Sequence, residues 1–220
     1  MVFQVIDLHT HSIFSDGELV PAELAQRAWT AGYKTIAITD HADHSNIDFV
    51  IPRIVKVCNL ITEKGDIEII PGIELTHVHP GDIASLADEA RKIGAKIIVV
   101  HGETISEPVP AGTNLAAIKA EVDILAHPGL IGEEEVKLAA QKGVYLEITT
   151  RRGHAYTNGH VASMSRKFNA QLVLNNDAHA ASDFVGKTMA FKIARGAGLT
   201  DDEISAMLNN SGKIIQRACV

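Results

Sequence analysis

Apolar positions along this chain fall into two registers, short strand-like runs and stretches at helical spacing, and the two alternate. Val2-Phe3-Gln4-Val5-Ile6 opens as a buried strand. Pro21 to Ala31 then reads as a helix, with proline near its start and Gly32 just past its end. Thr35 to Thr39 is a short strand leading into Asp40-His41. Ile51, Ile54, Val57, Cys58 and Ile61 keep helical spacing to a stop near Gly65. Ile67 to Ile70 forms a third strand that runs through Pro71-Gly72 to Glu74. Asp82 predicts an N-cap for a helix with Ile83, Leu86, Ala87, Ala90 and Ile93 on one face, closed by Gly94.

Lys96 to Val100 is the clearest buried strand and exits at His101. A loop containing proline and glycine covers Glu103 to Gly112, and a short helix follows around Leu115 to Ala120. Asp123 to Ala126 is a fifth strand, ending at His127-Pro128-Gly129. A helix from Glu133 to Lys142 carries acids in its first turn, where they suit the helix dipole. Val144 to Ile148 is a sixth strand, followed by a polar loop from Thr149 to His160 and a helix through Val161, Met164 and Phe168. The last strand, Gln171 to Leu174, delivers Asn176-Asp177-Ala178-His179. Two helices close the chain, the last with a capping box of Thr200 and Glu203.

Strands alternating with helices across short connections imply βαβ units and a parallel α/β sheet or barrel. The placement of polar residues favours the barrel. His9, His11, His41, Glu74, His101, His127, Asp177 and His179 all fall at or just past the carboxyl ends of strands. A parallel barrel gathers those ends on one face, whereas an open sheet spreads them along a crevice. The expected fold is a distorted seven-stranded β/α barrel with mainly parallel strands, a single domain over residues 1–220.

Composition narrows the function. A net charge of -7 argues against a general nucleic-acid or anionic-membrane surface, so long nucleic acid is not an expected partner. Only Cys58 and Cys219 occur, which excludes a disulfide framework and a thiolate zinc cluster, and Cys58 reads as a core residue. No charged leader region precedes the first strand, and no apolar run approaches the roughly 18 residues of a membrane span. A cytoplasmic protein is expected. The residues carry no signal for oligomeric state.

The outlier is histidine, with eleven residues. His9-x-His11 alone is weak, because chance produces such a pair roughly half the time in a chain this rich in histidine. The set is stronger: His9, His11, Asp16, His41, Glu74, His101, His127, Asp177 and His179 offer imidazole and carboxylate ligands suited to Zn, Mn or Fe(II). Alternation puts His9 and His11 on one side of the chain, so both can reach one ion. Nine ligands are too many for one tetrahedral ion and suit two or three divalent ions with a bridging carboxylate.

The order Asp7-x-His9-x-His11 with Ser15-Asp16-Gly17, then Thr39-Asp40-His41, Gly72-Ile73-Glu74, Val100-His101, His127-Pro128-Gly129 and Asp177-Ala178-His179 resembles the polymerase and histidinol phosphatase (PHP) family. The motifs run from residue 7 to residue 179. The resemblance implies the distorted seven-stranded barrel of that family with a trinuclear metal centre. It places one metal on His9, His11, Glu74 and Asp177, a second on bridging Glu74 with His101 and His127, and a third on Asp16, His41 and His179. It also implies catalytic roles for Glu74, His101 and Asp177.

Three divalent ions carry +6 against -3 from Asp16, Glu74 and Asp177, and such a pocket wants an anion. The expected activity is hydrolysis of a small phosphorylated metabolite, a phosphate monoester of the histidinol-phosphate kind, by a metal-bridging hydroxide. Arg151-Arg152 could hold phosphate oxygens, with at most one of the two pointing inward. His154, Tyr156, Asn158 and His160, in the same loop, could contact or protonate the leaving group. His77 and His79 are ambiguous, and His44 is expected to be exposed. Alternatives are a nucleotide phosphatase, phosphodiesterase or exonuclease of the same family, or a non-catalytic metal-binding module. The amidohydrolase barrels also begin with His-x-His, but they need a bridging lysine late in the fourth strand, where this chain has Val99, Val100 and His101.

Overall fold

The computed structural model describes residues 5–218. The first four residues of the chain, where the opening strand was expected to begin, and Cys219 lie outside the described residues. Within them, eight strands alternate with helices: β1 (Val5–Asp7), α1 (Pro21–Thr30), β2 (Tyr33–Ile38), β3 (His41–Ala42), α2 (Ile47–Lys64), β4 (Glu68–Leu75), α3 (Ile83–Lys92), β5 (Ile97–His101), α4 (Thr113–Lys119) and β6 (Ile124–Ala126). The series continues with α5 (Glu133–Lys142), β7 (Tyr145–Thr149), α6 (Asn158–Phe168), β8 (Leu172–Asn175), α7 (Lys187–Gly196) and α8 (Asp201–Ala218).

Seven strands follow one another as β1-β2-β4-β5-β6-β7-β8, every pair parallel, and the two-residue β3 lies against β4. The ring closes beyond the ends of β1 and β8, where His11 N donates to Ala178 O (2.8 Å) and Ala178 N to His9 O (3.3 Å). Earlier along this seam, side chains substitute for the ladder: Leu8 N donates to Asn175 Oδ1 and Asn176 N to Asp7 Oδ1. The result is the expected seven-stranded, nearly closed barrel with an irregular seam.

Period-two alternation sorts the apolar residues. Leu8, Ala37, Ile70, Ile97, Val99, Ile124, Ala126 and Val173 form one cluster with Ile214 of α8, while their strand neighbours Ile36, Ile69, Ile98, Leu125, Leu146 and Leu172 pack with the helices. On β7 the position alternating with Leu146 and Ile148 is Glu147, and it is fully buried. A carboxylate thus occupies a place that its β8 partner Val173 gives to hydrocarbon.

β4 turns the corner of the barrel. Its first half pairs with β2 and its second half with β5 and β3. The switch falls at Pro71-Gly72, where a Cβ on Gly72 would stand 2.8 Å from Thr39 Cγ2 and 2.9 Å from Ile97 O. Proline, which donates nothing to a ladder, is tolerated at such a break.

Two local expectations are corrected. The Asp82 side chain makes no cap; a 3-10 turn (Pro80–Asp82) precedes α3, and His79 Nδ1 accepts there from Gly81 N. The polar stretch after β7 is not loop throughout. It folds into a 3-10 turn (His154–Thr157), and α6 begins at Asn158, so His160 lies on a helix. The Thr200/Glu203 capping box is present, with Thr200 N on Glu203 Oε2 and Glu203 N on Thr200 Oγ1.

Candidate metal centre

The barrel brings all nine candidate ligands to the carboxyl ends of its strands. His9 and His11 follow β1, His41 opens β3, Glu74 lies near the end of β4, His101 ends β5, His127 follows β6, and Asp177 and His179 follow β8. Backbone geometry aims several of them. His127 (φ 28°) and Asp177 (φ 53°) take left-handed conformations that cost a non-glycine residue energy, a cost accepted mainly where a side chain must be pointed. The loop holding Asp16 is shaped by Asp40, whose carboxylate accepts from Ser12 N (2.7 Å), Ser12 Oγ (2.8 Å) and Ser15 Oγ (2.7 Å). Gly17 then folds back onto His11, whose carbonyl oxygen would lie 2.4 Å from any Cβ there.

Glu74 is the hub. Its Oε2 lies 2.8 Å from His41 Nδ1, 3.2 Å from His9 Nε2 and 3.5 Å from His11 Nε2, and its Oε1 lies 3.9 Å from His127 Nε2. Asp177 faces the same histidines from β8: Oδ1 is 3.2 Å from His11 Nε2 and 3.7 Å from His9 Nε2, and Oδ2 is 3.7 Å from His127 Nε2. Asp16 Oδ1 sits between His179 Nε2 (3.1 Å) and His41 Nε2 (3.4 Å). Ligand atoms group within 4.8 Å of one another as His9-His11-Glu74, His9-His127-Asp177, His11-Asp16-His41-His179 and His101-His127-His154.

The donor set fits divalent cations. His9 Nε2, both nitrogens of His11 and of His127, both oxygens of Glu74 and Asp177 Oδ1 are buried without a hydrogen-bond partner. An unpaired buried polar atom costs about 1–3 kcal/mol, and a cation placed among them would offset that cost. Protonation responds to the same crowding. Burial alone would discharge His9, but Glu74, Glu147 and Asp177 hold its pKa well above the imidazole value. His11 is pushed down to about 3 by burial and by His41. Against a burial penalty, His9 and His41 hold Glu74 well below the carboxylate range, and His9 and His11 do the same for Asp177.

Several contributors were not foreseen. Glu147 Oε1 lies 2.9 Å from His9 Nδ1 and accepts from Asn175 Nδ2, while its Oε2 accepts from His127 N, so one interior carboxylate orients both histidines. An acid in the middle of an apolar parallel strand was the signal. Asp7 bonds the Asn176 amide, and burial raises its pKa to about 7. Thr76 Oγ1 lies 2.6 Å from His41 Nδ1. Glu107, from the loop after β5, reaches His101 Nε2 at 3.2 Å and His77 Nε2 at 3.5 Å.

The candidate substrate contacts separate. Arg151 turns inward, its Nε 3.7 Å from Asp177 Oδ2 and its Nη1 3.4 Å from Asp183 Oδ2, while Arg152 is exposed. Both line a cavity of about 370 Å³ with Thr150, Asn176, Ser182, Asp183 and Val185. His154 is buried beside His127. His160 Nε2 is 2.8 Å from Ile131 O, and Asn158 bonds the Thr149 backbone. Tyr156 and His44 are exposed.

Residues 7–106 match the PHP domain. The chain is 44% identical to the uncharacterized protein MJ1295 of Methanocaldococcus jannaschii over 96% of its own length and 98% of that protein's. It belongs to the PHP family. The family is one of metal-dependent phosphoesterases, in keeping with the clustered histidines and carboxylates. This PHP chain is also 28% identical to ribonuclease P protein component 3 of Methanosarcina barkeri, over 90% of its own length and 82% of that protein's. Its barrel superposes on the crystal structure of histidinol phosphate phosphatase from Lactococcus lactis, complexed with zinc, L-histidinol and phosphate, with a TM-score of 0.64 at 18% identity, covering 89% of this chain and 94% of that one. Among the described residues, no helix is long and apolar enough to cross a membrane.

Proposed function

We propose that this PHP protein is a metal-dependent phosphatase that hydrolyses the monoester of a small phosphorylated metabolite. One observation carries the reading: eight nitrogen and oxygen atoms on five candidate ligands converge, buried and without hydrogen-bond partners, at the carboxyl ends of the strands. His9, His11, Glu74 and Asp177 would hold one ion, Glu74 with His101 and His127 a second, and Asp16, His41 and His179 a third. Zn, Mn and Fe all suit such a donor set. When bound, these ions supply Lewis acidity toward phosphoryl oxygens and lower the pKa of water.

The chain's own residues do the rest. Glu147 and Thr76 fix the rings of His9 and His41, which keeps ligand atoms aimed inward without reorganisation. Charge selects the substrate. Three divalent ions carry +6, Asp16, Glu74, Glu147 and Asp177 offset -4, and Arg151 adds +1 beside Asp177, so the pocket stays positive and draws an anion such as a phosphate dianion. Arg151 is the phosphate-holding residue in this scheme, placed between the ligand cluster and the adjoining cavity.

Elemental analysis of the purified protein together with a phosphomonoester panel tests the reading. Two or three equivalents of Zn, Mn or Fe and hydrolysis of at least one monoester are expected, and a metal-loaded protein inert to every ester would overturn it. Arg151→Ala should raise KM for phosphate esters roughly 10- to 100-fold, as for loss of a charged hydrogen bond of about 1.5–3 kcal/mol. Arg152→Ala should leave KM near wild type. Equal effects would remove Arg151 from this role. The similarity to ribonuclease P protein component 3 favours a second reading, an RNA-associated subunit. Tight, salt-sensitive binding of tRNA by a protein inert on monoesters would establish that reading instead.

A further inference from the structure

His101 and His127 have a third imidazole beside them. His154 is buried, its ring stacks on that of His127 with centroids 4.1 Å apart, and it meets the ring of His101 edge-on at 5.6 Å. Ring nitrogens of the three histidines lie within 4.8 Å of one another. The residue arrives there through Gly153, whose positive φ of 92° turns the chain after β7 back over the loop after β5, where a Cβ on Gly153 would stand 3.3 Å from Ser106 Oγ. His154 Nδ1 is taken by Thr104 Oγ1 at 2.9 Å. A hydroxyl can accept the Nδ1 proton, which leaves the Nε2 lone pair free. Nε2 faces Glu107 Oε1 at 3.5 Å, and the other oxygen of Glu107 lies 3.2 Å from His101 Nε2.

Resting on the metal-centre reading above, we infer that His154 is a protein ligand rather than a substrate contact, and that it joins His101, His127 and Glu74 in holding the second divalent ion. Imidazole nitrogens together with a carboxylate oxygen are a donor set that zinc accepts. A histidine serving the substrate would present a nitrogen to the cavity. This one has one nitrogen bonded to a threonine, and its ring packs against two further imidazoles. Thr104 is then a positioning residue that fixes the tautomer and the ring, a kind of support whose loss typically costs about 10- to 100-fold in metal affinity. Glu107 adds a negative charge across the open side of the triad.

Cobalt(II) titration of the full chain, followed by visible absorption and chelator competition, tests the assignment without relying on turnover. In His154→Ala and His154→Gln, one equivalent should bind at least ~100-fold more weakly, with a changed d–d spectrum. In Thr104→Val, the same equivalent should weaken about 10-fold with the stoichiometry kept. Far-ultraviolet circular dichroism identifies any variant that fails to fold, and Thr104→Val and His154→Gln each carry the test if His154→Ala does fail. Variants that load cobalt with wild-type count, affinity and spectrum would overturn this inference alone. A wild-type chain that takes up no cobalt would overturn the metal-centre reading and this inference with it.

Discussion

Glu74→Gln is expected to lower phosphomonoester turnover by roughly 10³-fold and to remove at least one metal equivalent. The change is isosteric, yet it replaces the anion at the hub of the cluster, the group nearest His9, His11 and His41 together. A metal acting as Lewis acid supplies several kcal/mol of transition-state stabilisation, and each 1.36 kcal/mol is tenfold in rate, so losing about 4 kcal/mol gives the stated factor. The amide also leaves His9 with fewer carboxylates around it. The check is kcat with metal content on the same preparation: wild-type turnover with full metal would show that Glu74 is not shared between ions.

Chelation is expected to destabilise the whole fold, lowering Tm by about 8–16 °C. A ligand held by the native state alone, present at about 1,000 times its Kd, contributes about 4 kcal/mol. In a chain of this size each kcal/mol moves Tm by about 2–4 °C. The unpartnered atoms of His9, His11, Glu74, His127 and Asp177 give the structural reason, since in the metal-free chain they face only one another. Calorimetry before and after treatment with a strong chelator, then after adding back zinc, makes the measurement. An unchanged Tm would mean that these atoms find partners by another route.

Much of the fold was legible because parallel strands buried on both faces write themselves as apolar runs. Lys96 to Val100 and Val144 to Ile148 differ from β5 and β7 by one residue at each end. The helix expected from about Glu133 to Lys142 is there, as α5. The stretch from Thr149 to His160 was not legible, because its polar residues serve three different ends. Asn158 ties down the Thr149 backbone, His160 meets the Ile131 carbonyl, and His154 joins the ligand cluster. Residue type alone does not distinguish these. Asp82 misled for a related reason: a short side chain at a helix start is only a candidate cap, and the Pro80-Gly81 turn rotated it out of use.

Asp16 shows where the two kinds of information divide. The family resemblance already grouped it with His41 and His179, and the structure adds the distances, 3.4 and 3.1 Å, and the means, the Asp40 hydrogen bonds and the close approach at Gly17. By itself the sequence determined the strand–helix alternation, the carboxyl-end location of the candidate ligands and the resemblance to the family, because periodicity and motif order are local properties of the chain. Only the tertiary structure decided the close approach of His9, His11, His41 and His127 to Glu74, the inward turn of Arg151 but not Arg152, and the interior place of Glu147 beneath His9. Those depend on barrel closure, which brings β1 against β8 and sets side chains more than a hundred residues apart within hydrogen-bonding distance.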